Sequence, residues 1–379
     1  MNDLDAWCDE ELPDLYDEGM FDSEEISEEV WETVQQLAQT TLLDHIEDEE
    51  ERDDLLDQIL DVARAWFRAH HDLVLEAIEP LPSATIEALT SKPQTAQHTA
   101  DWYAERRNRL TASEFSQILD GRRGALLRKK LSTEPSSSYG SAVIGIAQED
   151  GEMNATTWGH RFESITRRIY ELELAGVGTV NDTMGRFTHP TIPWLSASPD
   201  GLVTKGPLAG RLVEIKCPKT RQPGEFVPQE YYVQMQLQME VCDLDVVDFV
   251  EAQYGQRPLK AISPADEAAI EKASWKGRID VYGYLESPET WTYKYSKPVE
   301  DLLDAKIETC ELPLLESSVW WLTGWFPRTV LRNQVWWSAI GWPAAELFWA
   351  QVESGRAVGT SVAKAVNAMT PVDEFITHV

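Results

Sequence analysis

The sequence predicts an α/β chain, a mixed central sheet flanked by helices, with helical segments added at both ends. Three observations predict it. Leu212-Val213-Glu214-Ile215-Lys216-Cys217 alternates like a strand, with Val213, Ile215 and Cys217 on one face and Glu214 and Lys216 on the other. Phe162, Ile165, Ile169 and Leu172 before it, and Tyr231, Met235 and Met239 after it, recur at helical spacing. Val246 to Tyr254 then reads as a further core strand.

The 379 residues suffice for two or three domains. A formal net charge of -32 conflicts with phosphate binding, which needs Lys and Arg to displace counterions. Its distribution removes most of the conflict: residues 1–100 hold 28 acidic and 4 basic side chains, a net of -24, which leaves -8 for residues 101–379. No segment has the apolar length of a membrane span, and the N-terminus is acidic rather than basic and apolar. The expectation is a soluble intracellular chain with no membrane partner. Cys8, Cys217, Cys242 and Cys310 lack CxxC spacing and the 7 histidines form no ligand-like cluster, which argues against structural zinc.

Residues 1–22 are acidic, without a sustained period, and read as a disordered tail. Ser23 as N-cap, with Glu24 and Glu25 in the first turn, opens a helix whose apolar positions are Ile26, Val30, Val34 and Leu37. A second run, Leu55, Leu56, Ile59, Leu60, Ala63, Trp66 and Phe67, makes residues 23–91 an acidic helical domain built as a hairpin. Pro80, Pro82 and Pro93 mark a linker at its end. Its acid fits a solvated structural cover first, with docking onto a basic partner or mimicry of DNA over a site as sharper alternatives.

Residues 92–255 are the expected core. Arg106, Arg107 and Arg109 would by themselves be an ordinary exposed helix start. Arg122, Arg123, Arg128, Lys129 and Lys130 form the densest basic patch, suited to a DNA backbone, and Ser132 to Ser138 a polar loop. Trp158 to Glu163 opens the first core helix, with Glu163 one turn before Arg167, the spacing of a plain ion pair. Gln234 and Gln238 lie on the side of the later helix away from its apolar contacts. Residues 256–379 are a C-terminal extension with a minor basic group at Lys272, Lys276 and Arg278. Within it, residues 320–349 hold 7 of the 15 tryptophans with only Arg328 and Arg332 among them, so a packed helical segment or subunit contact is expected rather than base stacking.

Leu195 to Val203 and Arg211 to Cys217 read as a β-hairpin with Asp200 at its turn, and one register sets Asp200 beside Glu214. Two oxygen donors and Lys216 at one end of a hairpin suit a hard divalent cation and a positioned water. A strand with Glu and Lys on its wet face is also the commonest solvated antiparallel strand.

The order Asp200, then Glu214-Ile215-Lys216, resembles the metal-site pattern of the PD-(D/E)XK nucleases. Ser198-Pro199-Asp200-Gly201 with Glu214 to Pro218, the opening Trp102, Arg106 and Thr111-Ala112-Ser113, the stretch Gly159 to Glu163 and the closing Tyr231-x-x-Gln234 are similar to the YqaJ and lambda-exonuclease branch. The lead-in Pro93-Gln94-x-x-Gln97-x-Thr99 resembles its members in large DNA viruses and eukaryotes, and the likeness runs over roughly residues 93 to 254.

This resemblance implies a metal-dependent deoxyribonuclease, a 5'-to-3' exonuclease that trims linear duplex DNA to 3' single strands for recombination, replication or repair. It implies Mg2+, with Mn2+ as a substitute, held by Asp200, Glu214, the main-chain carbonyl of Ile215 and, directly or through water, Glu163. Lys216 would orient or deprotonate the attacking water, Gln234 would contact the hairpin, and Gln238 would be structural. Arg106 and Ser113 would hold the 5'-terminal phosphate, a role to which a guanidinium and a hydroxyl are suited. The partners implied are double-stranded DNA ends, a single-strand annealing or recombination protein, and further copies of the chain in a trimer. The setting implied is a nucleus or a cytoplasmic viral replication site. A structure-specific endonuclease on the same core and a non-catalytic recombination adaptor stay as alternatives.

Overall fold

The computed structural model describes residues 2–18, 28–97, 99–132, 153, 155–223, 227–284 and 292–358. The expected helix start at Ser23 and most of the Ser132 to Ser138 loop lie outside them.

The acidic hairpin forms as α3 Glu28–Thr41 and α4 Glu49–Ala77, the latter capped by Asp48, whose carboxylate accepts from Glu51 N at 2.9 Å. Residues 2–18, expected to be disordered, are instead α1 Asn2–Glu11 and α2 Pro13–Glu18. Of their apolar side chains, Trp7, Cys8, Leu12 and Tyr16 are buried against Val34, Ala38 and the Ile59, Leu60, Ala63 and Phe67 stripe of α4, with Leu4 and Leu15 partly buried beside them. Helices this short are unstable alone, so their order comes from packing rather than propensity. Trp66 Nε1 adds a hydrogen bond to Asp9 Oδ1 at 2.8 Å.

The boundary of the acidic domain also moves. Helix α5, Ser83–Thr90, sends Ile86 and Leu89 into the main apolar cluster of the core, and Leu81 N donates to Ala209 O at 2.8 Å. Gly210, at φ 100°, makes this docking possible, because a Cβ there would lie 2.6 Å from Leu81 Cγ. Residues 81–90 therefore pack as part of the core and not as a linker.

The core helices that follow are α6 Ala100–Glu105, α7 Ala112–Leu119, α8 Arg123–Leu131, α9 Ala155–Tyr170 and α10 Gln229–Cys242. The strands up to α10 are β1 Leu110–Thr111, β2 Val180–Asn181, β3 Phe187–Thr188, β4 Leu195–Ala197, β5 Gly201–Val203 and β6 Leu212–Lys216. After α10 come β7 Val246–Pro258, α11 Pro264–Lys272, β8 Lys276–Tyr282, β9 Thr292–Tyr295, β10 Leu314–Leu331, α12 Gln334–Trp336 and α13 Trp342–Val358. Among the described residues the main sheet runs β2-β5-β6-β7-β10-β8-β9, with β6 parallel to β7 and its other pairs antiparallel. A small sheet, β1-β4-β3, stands beside it. One face of the main sheet carries Leu212, Val247, Phe249 and Val330 into the cluster shared with α7, α8, α10 and α13. The other carries Val213, Ile215, Val250 and Ala252 against Phe162, Ile165 and Ile169 of α9. Among the described residues no helix is long and apolar enough to cross a membrane.

Two expectations change here. The hairpin is β5–β6 alone: Leu195–Ala197 leaves for the small sheet, pairing with β1 and β3. Asp200 thus stands just before β5 rather than at the hairpin turn, and Gly201 follows it because a Cβ there would lie 2.7 Å from Val180 of the edge strand. The C-terminal aromatic stretch is not all helical. Trp320, Trp321 and Trp325 sit on β10, an 18-residue strand inserted between β7 and β8, where large aromatics are favoured on a surface packed from both sides. Val319 and Trp321 join one cluster while Trp320, Leu322 and Trp325 join another, the shift of face coming at the bulge between Leu322 and Gly324.

Candidate active site

Glu214 and Lys216 lie on the face of β6 that α10 covers, so the solvated-strand alternative does not hold: Glu214 is 1% exposed. A buried carboxylate needs partners, and three reach it. Lys216 Nζ donates to Oε1, Gln234 Nε2 donates to Oε1 at 2.6 Å, and Gln238 Nε2 donates to Oε2 at 2.7 Å. Gln234 and Gln238 are one turn apart on α10, which makes the pair a clamp on both carboxylate oxygens. Gln238 is fully buried, and the sequence reading left it as structural. The signal that points to it is its i+4 spacing from Gln234 on a helix otherwise apolar on that flank.

Asp200 is brought to Glu214 by the backbone of the hairpin. Its N–H donates to Val213 O at 3.1 Å, and its Oδ2 accepts from Ile215 N at 2.8 Å. Burial, then the charges of Glu214 and Glu163, push its carboxyl above the usual range. Burial pulls the Lys216 ammonium down, but Glu214 and Asp200 outweigh it and hold Lys216 above the ordinary lysine value. Lys216 is therefore a cation at neutral pH, seated 4.9 Å over the ring of Tyr231.

Glu163 comes from α9 on the other side of the hairpin. It is near enough to Asp200 to raise its pKa, while its own oxygens lie 3.7 Å from Arg167 Nη1 and 3.9 Å from His160 Nδ1. Arg167 also donates to Asp200 O at 3.2 Å and pairs with Asp182 at 3.0 Å, tying α9 to the Asp200 segment. The ordinary i,i+4 pair and the site neighbour are both present in one residue. Glu251, opposite Lys216 in the β6–β7 register, is wholly buried and paired with Arg221 and, at 3.6 Å, Arg328. Sequence reading passed over it, although a carboxylate inside the apolar run Val246 to Tyr254 was the sign.

A second charged cluster lies along α6 to α8. Arg106 Nη2 donates to Ser113 Oγ at 3.2 Å and lies 3.6 Å from Glu114, so Arg106 and Ser113 stand side by side. Glu114, 1% exposed, accepts from Thr111 Oγ1 at 2.8 Å, Lys130 Nζ at 2.7 Å and Lys129 Nζ at 3.3 Å. Burial pushes the Glu114 carboxyl up, but Lys130, Arg106 and Lys129 outweigh it and bring it down to about 2. The expected basic patch is therefore only partly a surface. Lys130 is fully buried and also donates to the carbonyls of Arg106 and Arg109 at 2.6 and 2.7 Å, and Arg123 is buried with a 3.1 Å bond to Gln351. Both turn inward because one side of α8 packs on α7 and α13. Arg122, Arg128 and Lys129 remain exposed, with Arg122 paired to Asp120 at 2.6 Å.

The chemistry of the first cluster suits a hard cation: two carboxylates and main-chain oxygen at one strand end, with a third carboxylate nearby, and mutual repulsion that a cation relieves. Among the described residues no three His, Cys, Asp or Glu side chains are gathered as a ligand group, since Glu163 is turned to Arg167 and His160. Asp200 and Glu214 are oxygen donors of the kind a hard divalent ion takes.

Residues 101–245 match the model of the YqaJ-like viral recombinase domain. An uncharacterized protein of Acanthamoeba polyphaga mimivirus is 25% identical over 187 residues, covering 44% of this chain. The chain spans 31% of the length of that relative. An alkaline exonuclease from Laribacter hongkongensis has 20% identity and a TM-score of 0.39, over 69% of this chain and 95% of its own. A phage-related exonuclease from Haemophilus somnus 129PT has 19% identity and a TM-score of 0.26, over 42% of this chain and 73% of its own. Asp200, Glu214, Lys216, Gln234 and the Arg106–Ser113 pair all fall inside the segment that matches the YqaJ-like viral recombinase domain.

Proposed function

We propose that the protein is a metal-dependent deoxyribonuclease that digests linear duplex DNA from the 5' end and leaves a 3' single strand. The observation that carries this reading is the buried Glu214, held by Lys216, Gln234 and Gln238 with Asp200 beside it, within a YqaJ-like domain. Asp200, Glu214 and the main-chain carbonyl of Ile215, with Glu163 directly or through water, would hold Mg2+ or Mn2+. Bound there, the ion supplies stabilisation of the charge that grows on the phosphate and on the leaving oxygen.

The chain's own groups do the rest. Lys216, kept cationic by its two carboxylates, orients the attacking water and offsets developing negative charge. Gln234 and Gln238 fix the Glu214 carboxylate so that it does not rotate away from the reacting centre. Arg106 and Ser113 grip the 5'-terminal phosphate and set which end is cut. Water attacks the phosphorus, the P–O3' bond breaks, the released nucleotide takes the 3' hydroxyl, and the new end carries a 5' phosphate. The test is digestion of linear duplex labelled at either end, beside a closed circle of the same sequence. Loss of the 5' label first, with the circle intact, is the expected result; cutting of the circle would replace an exonuclease with an endonuclease.

A further inference from the structure

Arg356, near the end of α13, is carried to the start of the core by a close helix contact. Gly355 beside it sits so near the end of α8 that a Cβ there would lie 2.8 Å from Leu131 Cδ2. Arg356 Nη2 donates to Arg107 O at 2.7 Å and to Lys130 O at 3.1 Å. With Lys130 Nζ on the carbonyls of Arg106 and Arg109, the short turn Arg106–Asn108 is held from two sides, and its two arginine side chains leave from a fixed backbone. Arg106 goes to Ser113 and Glu114. Arg107 lies close enough to Arg356 that its charge, after burial, pulls the Arg356 guanidinium below the ordinary arginine value, with Glu353, exposed and one turn back on α13, opposing. Arg106, Arg109 and Arg122 each have a carboxylate, Glu114, Glu105 and Asp120. Among the described residues neither Arg107 nor Arg356 has one in ion-pair contact, and the Nε of each is buried without a hydrogen-bond partner. The Arg356 guanidinium lies 5.6 Å over the ring of Trp349, itself stacked on Trp194 at 5.2 Å, so one wall beside the pair is apolar and strengthens charge interactions there.

We infer that Arg107 and Arg356 form a second anion site, which takes a backbone phosphate of the substrate duplex beyond the terminal phosphate held by Arg106 and Ser113. This rests on the reading of the protein as a nuclease of duplex DNA. Two half-buried guanidinium groups without a counter-charge are costly, and a phosphate relieves the repulsion through paired donors. Arg356 has Nη1 left for that use, since its Nη2 is bonded to main chain, and Arg107 has both terminal nitrogens. Position favours DNA over a free anion. Arg107 follows Arg106 directly, about 3.8 Å away between Cα atoms, so a duplex seated on the terminal grip passes within a side chain's reach of the pair. Such a contact fixes the register of the duplex and reads no sequence.

The experiment is duplex binding by the full chain in Ca2+, followed by fluorescence anisotropy across a salt series. The ends carry a 5' hydroxyl, so that the terminal grip has no phosphate to hold. Arg107→Gln breaks no side-chain ion pair, so the fold should stand. It is expected to weaken binding about tenfold at low salt, the worth of one charge-assisted contact. It should also lower the slope of log affinity against log salt by about 0.9, the share of one phosphate. Arg107→Lys keeps the charge and should keep the slope. Arg356→Gln added to Arg107→Gln should change the slope little further, because both groups act on one phosphate. A 5' phosphate should tighten wild type and Arg107→Gln by the same factor, which sets the pair apart from the terminal grip. An Arg107→Gln protein with the wild-type slope overturns the site and leaves the nuclease reading standing. One that loses the gain from a 5' phosphate overturns the separation of the two sites. A wild-type chain that does not bind duplex overturns the nuclease reading, and this inference with it.

Discussion

The Asp200–Glu214 cluster and the Arg106–Glu114 cluster are built alike and unbalanced in opposite senses. In the first, Asp200 and Glu214 share one ammonium, Lys216, with Glu163 near Asp200, and burial drives Asp200 up. In the second, Arg106, Lys129 and Lys130 face one carboxylate, and Glu114 is held down to about 2. Each holds like charges at close range around an opposite charge, a costly arrangement in a low dielectric unless a ligand of opposite sign completes it. The comparison teaches that the sign of the excess, more than the number of charges, tells which ligand a buried cluster is prepared for. It also explains how a chain of net charge -32 can present a site for a polyanion.

The strongest way to break this comparison is at the carboxylate cluster. Asp200→Ala, Glu214→Ala and Lys216→Ala are each predicted to lower cleavage by about a thousandfold or more, because groups acting as one unit fail together. DNA binding, measured by fluorescence anisotropy in Ca2+, should change little. Near wild-type turnover in the Lys216 variant would remove it from the site.

At the cationic cluster, Arg106→Ala is predicted to lower digestion of 5'-phosphorylated ends by about 10- to 100-fold, the range of a lost charge-assisted hydrogen bond. Digestion from 5'-hydroxyl ends should fall far less. Equal losses on both ends would make Arg106 a general structural residue.

Glu114 sharpens the comparison through pH. Its folded pKa lies below the unfolded value, so its stabilisation is complete above the ordinary glutamate value of about 4.5 and is lost as pH falls toward about 2. Glu114→Gln leaves Lys130 buried with a weaker partner and is predicted to cost about 3 kcal/mol at pH 7. Unfolding of the two proteins followed from pH 7 to pH 3 should show the gap narrowing below pH 4.5; a gap that stays constant would mean that Glu114 acts by shape and not by charge.

The smallest effect concerns the acidic N-terminal layer. The cut must fall before Leu81, because Leu81, Ile86 and Leu89 pack into the core. Removing residues 1–79 deletes 27 acidic and 3 basic side chains, a net of -24. We expect a severalfold gain in DNA affinity at low salt that fades as the Debye length shortens to about 8 Å. A gain that persists at high salt would instead indicate a docked cover held by apolar contacts, and no gain at all would leave the layer without an electrostatic role.

Local pattern alone determined much of this protein. The alternation of Leu212 to Cys217 placed Glu214 and Lys216 on one face, while Arg106 and Ser113 were singled out by the family resemblance and not by their spacing. Helix periods located α4, α9 and α10, because 3.6-residue repeats and period-2 strands are properties of a few consecutive residues. Only the tertiary structure decided the rest. It moved Leu195–Ala197 into another sheet and set Asp200 before β5, since pairing is a choice between distant partners that short strands do not encode. It drew Gln238 onto Glu214 and buried Lys130 and Arg123, which have the same local signature as exposed residues. It put Trp320, Trp321 and Trp325 on the strand β10, and it ordered residues 2–18 through Trp7, Leu12 and Tyr16. In each case the deciding free energy is burial against a surface formed by residues tens to hundreds of positions away, which no window of sequence contains.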